Sequence, residues 1–350
     1  MMRCVAVLIV CSVLSGSAAA DSKDGRFDIY FIDVEGGAAT LLVTPAGESM
    51  LIDSGYPDNR GRDKDRIIHV AKDVAGLSKI DHAAVSHWHR DHYGNHAALA
   101  AEFGIGTFWD RGIPDTLQED DLFETRIAAY RAASQNQSKA LQAGDYVPLK
   151  TGTTKLTARV LASGRKVIAN VGPKNPHADR HKQIDVDKSD NAASLSLLFQ
   201  FGDFRFLCCG DLTWNIEGKL VTPNNPIGTV DIFMVTHHGL PTSNNPALVL
   251  AVDPTVTIMC NGPTKGGAES TLKTLHEIKS LQDMYQLHQN TKLDASLQAP
   301  TEFIANTGTT ATCKGQWVKT SVAADGSRYT VQIGPSGRKR EYATRSHLVP

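Results

Sequence analysis

The chain has 350 residues, 41% hydrophobic and 21% charged, with a formal net charge of -1. That length suits one large α/β domain with insertions, and the balanced charge argues against a strongly basic nucleic-acid-binding or membrane-attracted surface. Past the amino terminus no apolar run approaches the length of a bilayer-spanning helix.

Residues 1–20 read as a secretory leader. Arg3 supplies the positive end, Val5 to Leu14 the apolar stretch and Ala18-Ala19-Ala20 a small-residue cleavage site. Residues 21–350 then form the mature chain, expected to be exported to a periplasmic or extracellular space. Cys208, Cys209, Cys260 and Cys313 remain after cleavage. Cys208 and Cys209 sit in an apolar strand and read as buried thiols, whereas Cys260 and Cys313 are free to pair in an oxidising compartment.

From Phe27 the pattern gives three short strands, Phe27 to Ile32, Thr40 to Val43 and Met50 to Ile52, divided by glycine- and proline-bearing turns. The third ends in Asp53-Ser54-Gly55. Helical spacing follows over Arg62 to Leu77, then a buried strand at Ile80 to Val85. Helices are expected from His92 to about Glu102 and over Leu117 to Ala143, with strands at Thr107 to Trp109 and Lys155 to Leu161. Residues 163–190 lose periodicity and form an inserted loop, read equally as a solvated segment or a substrate-facing lid.

The second half repeats this grammar. Ser194 to Phe201 and Phe204 to Cys209 form a hairpin ending in Gly210-Asp211, and Val230 to Val235 is a buried strand ending in Thr236-His237-His238-Gly239. Helices are expected at Asn215 to Val221, Pro246 to Val252 and Ser270 to Gln289. A strand lies at Thr255 to Met259, and a helix-and-strand extension runs from about residue 260.

The chemistry concentrates after Val85, in Ser86-His87-Trp88-His89-Arg90-Asp91-His92. Three histidines and an aspartate within six residues offer imidazole nitrogen and carboxylate oxygen, the donors of catalytic zinc sites that keep a position open. Asp211 and His237-His238 stand at two further strand ends, so three loops bring ligand-type residues to one sheet edge.

With these residues in view, the chain resembles the metallo-β-lactamase superfamily. Asp53-Ser54-Gly55, H-x-H-x-D-H, Gly210-Asp211 and a terminal histidine carry the likeness. Within it, Asn191 and Ser194 before an apolar strand, and T-H-H-G followed by Ser243, are similar to the hydrolase domain of ComEC-type DNA-uptake proteins, without their membrane channel. The resemblance implies an α/β fold, a four-layer αβ/βα sandwich. It also implies two metal ions, zinc by expectation, with the harder carboxylate donors of the second one also admitting Mn²⁺.

By the same resemblance His87 and His89 hold the first ion, Asp91 and His92 the second, and Asp211 bridges them. One of His237 and His238 completes the second site while its neighbour donates a proton or packs. Asn191 stands where the pattern has the first ion's third histidine, with His177 and His181 as substitutes from the inserted loop. Asp91 would orient the attacking group, and Asp53 would brace the metal loop. Arg90 faces solvent or an anionic substrate, and His69, His82, His276 and His288 read as structural.

The implied activity is hydrolysis by a water whose pKa two ions lower from about 15.7 towards about 7. A phosphodiester, nucleic acid included, is the expected substrate. A β-lactam or lactone is the alternative, and a binding protein that keeps the fold without turnover is a third reading.

Overall fold

The computed structural model describes residues 24–57 and 59–346, so the leader segment lies outside the described residues. Two sheets form. The first contains β1 (Phe27–Phe31), β2 (Thr40–Val43), β3 (Ser49–Ile52), β4 (Ile80–Ala84), β5 (Ile105–Asp110) and β6 (Lys139–Ala140). The second contains β7 (Tyr146–Val147), β8 (Leu156–Ser163), β9 (Lys166–Val167), β10 (Ser196–Phe201), β11 (Phe204–Cys208), β12 (Ile232–Met234), β13 (Val256–Met259), β14 (Asp283–His288) and β15 (Ile304–Asn306). The chain then returns to the first sheet with β16 (Val318–Val322), β17 (Arg328–Ile333) and β18 (Arg340–Ala343). The first sheet runs β18-β17-β16-β1-β2-β3-β4-β5-β6. The second runs β15-β14-β13-β12-β11-β10-β8-β7, with β9 paired to β8.

Alternation builds the space between the sheets. Phe27, Ile29 and Phe31 project from one face of β1 and meet Phe199, Phe201, Phe204 and Phe206 of the β10–β11 hairpin. Phe31 and Phe206 pack edge to face with centroids 5.6 Å apart. Each fully buried phenylalanine contributes about 2 kcal/mol of apolar burial. The opposite face of the first sheet, through Tyr30, Leu41 and Leu51, packs on Ile67 of α1 (Arg62–His69) and Leu99 of α3 (His96–Glu102). The opposite face of the second, through Leu207 and Phe233, packs on α5 (Trp214–Val221), α6 (Pro246–Val252) and α7 (Glu269–His276). The expected helix–sheet–sheet–helix order is what these four layers form.

Several elements differ from the sequence reading. The helix expected from His92 to Glu102 is two pieces, α2 (Arg90–Tyr93) and α3. They part at Gly94-Asn95, where the Asn95 backbone N–H donates to the Ser54 hydroxyl and its side-chain amide to the Ser54 and Tyr56 carbonyls. Only Phe123–Ala133 of the long helix predicted after Leu117 is helical (α4). The helix expected over Ser270 to Gln289 ends at His276, and Asp283–His288 is a strand. All six of its residues are buried between parallel neighbours, so the polar–apolar alternation that betrays a strand is missing. Cys260 and Cys313 do not pair: all four described cysteines are free thiols. The Cys313 thiol instead donates to Asp33 Oδ2 at 3.1 Å.

Candidate metal centre

β4 lies in the first sheet and β11 and β12 in the second, and the loops after all three meet at one edge. Backbone bonds lock them together. Leu195 N–H donates to the Ser86 carbonyl across the sheets (2.8 Å), and His237 N–H to the Gly210 carbonyl (3.0 Å). Gly210 has φ +56°, and a Cβ there would lie 3.0 Å from Ser86 Cβ, so glycine lets the Asp211 loop reach the histidine loop.

Two overlapping groups of donors form there, His87 with His92 and Asp211, and Asp91 with His92 and His238. Within each group the donor atoms lie within 4.8 Å of one another. Asp211 Oδ2 is the hub, 3.2 Å from His92 Nε2, 3.4 Å from both His237 Nε2 and His238 Nε2, and 3.9 Å from His87 Nε2. Asp91 Oδ2 stands 3.5 Å from His92 Nε2 and 3.4 Å from His238 Nε2.

The far nitrogen of each ring is held so that Nε2 faces inward. His92 Nδ1 bonds Asp53 Oδ2 at 2.8 Å. Asp53 also accepts from the Ser86 N–H and hydroxyl, so it holds the start of the loop after β4 together with the His92 ring. His238 Nδ1 donates to the Cys260 carbonyl at 2.9 Å, which fixes its tautomer. His237 Nδ1 lies 3.1 Å from the hydroxyls of Ser243 and Thr242.

His237 and His238 depart from expectation. A strand end would turn adjacent side chains opposite ways, but both residues are left-handed, with φ of 53° and 54°. Successive left-handed residues curl the turn, and both rings reach the hub. Strained backbone of this kind persists where surrounding contacts impose it.

His89 is not gathered into either group. Its Nε2 lies 3.0 Å from Glu119 Oε1, outside the donor cluster. Asn191 is present, with Nδ2 3.4 Å from His237 Nε2 and its buried Oδ1 without a hydrogen-bond partner. His181 is not near the centre; it packs on Gly218 of α5 and meets the Asn245 amide at 2.7 Å.

Several site residues escaped sequence reading. Asp190 Oδ2 accepts from the Trp88 N–H at 2.6 Å and ties the metal loop to the Asn191 turn. Lys265 Nζ lies 2.5 Å from Asp91 Oδ2 and 3.2 Å from the Tyr56 hydroxyl. The signal that would have found Lys265 is positional, a glycine-rich loop just past the end of β13.

Burial and neighbours set the charges. Burial holds His87 well below its ordinary pKa and His237 down at about 4, leaving both rings neutral and able to donate to a cation. Burial works the same way on His92, but Asp211, Asp53 and Asp91 outweigh it and raise its pKa well above the usual range. Burial opposes charge on Asp211 and Asp91 as well, yet the surrounding histidines keep both well below the ordinary carboxylate range. The buried His87 Nε2 has no hydrogen-bond partner, and with His92 and Asp211 it makes a donor set that fits divalent cations.

A further cluster, Asp33, Glu35, His288 and Cys313, is a separate network. Arg66 pairs with Asp33 at 2.8 Å, and both Arg62 and Arg66 pair with Glu35. His288 donates to Asp33 at 2.8 Å.

The inserted loop is tied down over α5, with the Trp214 indole N–H donating to the Lys182 carbonyl and the Asn215 amide to that of Ile184. Between them is a cavity of about 450 Å³ lined by Arg165, Asp187, Thr213, Asn215 and Lys219 among others.

Residues 32–179 match the family model described as metallo-beta-lactamase superfamily. The two-sheet α/β architecture is consistent with the sandwich of that family. No curated protein sequence matches the chain. Among solved structures, a mutant of CmlA β-hydroxylase is 15% identical with a TM-score of 0.42, over 75% of this chain and 52% of that one. CmlA itself, a diiron β-hydroxylase from Streptomyces venezuelae, is 16% identical with a TM-score of 0.37, over 73% and 47%. MEM-A1, a subclass B3 metallo-beta-lactamase from a soil metagenome library, is 16% identical with a TM-score of 0.35, over 68% and 80%. This chain spans about half the length of CmlA, and likenesses of this size say nothing about its chemistry.

Proposed function

We propose that the chain is a hydrolase that uses two divalent cations, zinc with Mn²⁺ as an alternative, to cleave phosphodiesters. The observation that carries this reading is the pair of donor groups sharing His92, with Asp211 as hub. When bound, two such ions supply an activated water and stabilise developing negative charge.

The chain's own residues do the rest. Asp53 and Ser86 hold His92 with Nε2 inward, and the Cys260 carbonyl does the same for His238. His87, Asp211 and Asn191 face the first position, and Asp91, His92 and His238 the second. His237 touches the hub from the Asn191 side. Asp91 would orient the attacking group, a role supported by its Oδ2 lying 3.5 Å from His92 Nε2 within the second group.

The phosphodiester class, with nucleic acid as one form of it, rests on the ComEC-like Asn191, Ser194 and T-H-H-G features. Export belongs to the same reading and rests on residues 1–20. Among the described residues no helix is long and apolar enough to cross a membrane.

The test pairs metal analysis of the purified protein with a chromogenic phosphodiester and a chromogenic lactam assayed side by side. Two ions per chain and turnover of the phosphodiester are expected. Turnover of the lactam alone would move the activity to amide cleavage, and full metal occupancy without turnover of either would favour a binding protein.

A further inference from the structure

Lys265 is built into the centre rather than draped over it. The loop after β13 turns back on itself, with Gly262 N–H donating to the Lys265 carbonyl at 2.8 Å. It is pressed onto the histidine turn, where Gly267 N–H donates to the His238 carbonyl (2.9 Å) and Ala268 N–H to that of Gly239 (2.8 Å). Gly266, at φ +86°, has no room for a side chain, since a Cβ would lie 2.1 Å from the His238 carbonyl oxygen. The aliphatic stem of Lys265 crosses Gly36, where a Cβ would come within 3.1 Å of Lys265 Cβ and 3.2 Å of Cδ. The stem is thus channelled towards Asp91, and Nζ sits over the Tyr56 ring at 5.5 Å from its centroid.

The Lys265 side chain keeps 33% of its surface exposed while that of Asp91 keeps 11%, so of the two it is the one more open to a molecule arriving from outside. Divalent cations in the donor groups would draw on Asp91 and Asp211 and leave Lys265 facing positive charge. An ammonium in that position gains most when an anion enters beside it.

We infer that Lys265, with the Tyr56 hydroxyl beside it, is the anion-recognition residue of this centre and binds a non-bridging oxygen of an anionic substrate. The assignment rests on the hydrolase reading above and narrows its substrate to molecules carrying negative charge at the reacting group.

The experiment uses the metal-loaded protein as wild type, Lys265→Met and Lys265→Arg. Inorganic phosphate binding is measured by calorimetry, and kinetics are run on a chromogenic phosphodiester and a neutral chromogenic ester, with metal content determined in each sample. Loss of one charge-assisted contact should weaken phosphate binding by about tenfold in Lys265→Met. It should also raise KM for the phosphodiester by a similar factor relative to the neutral ester, with Lys265→Arg recovering part of both. Phosphate affinity unchanged in Lys265→Met would overturn the assignment. So would equal losses on both substrates accompanied by lost metal, which would make Lys265 a brace for Asp91. A wild type that turns over neither substrate would defeat the hydrolase reading, and phosphate binding would still decide the role of Lys265.

Discussion

His92 Nδ1 rests on Asp53 Oδ2 at 2.8 Å, and the opposite nitrogen of the same ring lies 3.2 Å from Asp211 Oδ2. One imidazole therefore joins the turn after β3 in the first sheet to the turn after β11 in the second. Asp53→Asn keeps the shape but exchanges the anionic acceptor for an amide. Such partners typically change metal affinity by about 10–100-fold. Weaker metal binding by equilibrium dialysis, with near-native circular dichroism, is expected; wild-type affinity in this variant would exclude the bracing role.

The histidine pair is expected to divide between the two positions. His238 shares its group with Asp91 and His92, whereas His237 stands with Asp211 and Asn191. His238→Ala and His237→Ala should each lower metal content by about one ion per chain, and the double variant by about two. Two single variants with full metal content would show that neither ring is a ligand.

Asn191 leaves the first position poor in strong donors. Its amide oxygen is neutral, and His89 is turned onto Glu119. Mild chelation should remove one ion before the other, with activity falling at the first loss, and Asn191→His should narrow the gap by adding an imidazole. Chelator titrations of both proteins, with metal and rate followed together, decide this. Simultaneous loss of both ions from wild type would mean the two positions are equivalent.

Glu217 gives a pH dependence away from the donor groups. Burial raises its carboxyl from 4.5 to about 7, and Oε2 accepts from the Asn245 N–H at 2.8 Å. Because the folded-state pKa is the higher one, the fold holds this proton more tightly than the unfolded chain does between those values. Stability should therefore fall as pH rises from about 4.5 to about 7, by about 3 kcal/mol at most. Glu217→Gln keeps an acceptor for Asn245 and should flatten this part of the profile. Urea unfolding of both proteins across that range checks the difference, and parallel profiles would refute it.

Much of this was legible in the chain. Val85, Cys209 and Val235 each close an apolar strand and hand over to a donor residue, and that local pattern placed His87, Asp91, His92, Asp211 and His238 together. Asp53 was legible for the same reason, as a carboxylate at the end of β3. What stayed hidden depends on distant partners. The orientation of His89 is set by Glu119, 30 residues on, and no spacing rule announces that two consecutive histidines will both be left-handed. Lys265 meets Asp91 across 174 positions of sequence. The strand Asp283–His288 carries no such signal, because burial on both faces erases the period that distinguishes it from a helix.

β16 pairs with β1 from Phe27↔Val322 to Phe31↔Val318, and this has a consequence for the order of events during synthesis. The earliest described strand waits for one made almost 300 residues later. Until then its outer edge offers open backbone groups to any extended segment nearby. The donors of Asp211 and His238 also arrive long after those of His87 and His92, so a nascent chain holds half a cation site beside an unsealed sheet. Shielding of β1 until β16 has been made is what would keep that edge from pairing elsewhere.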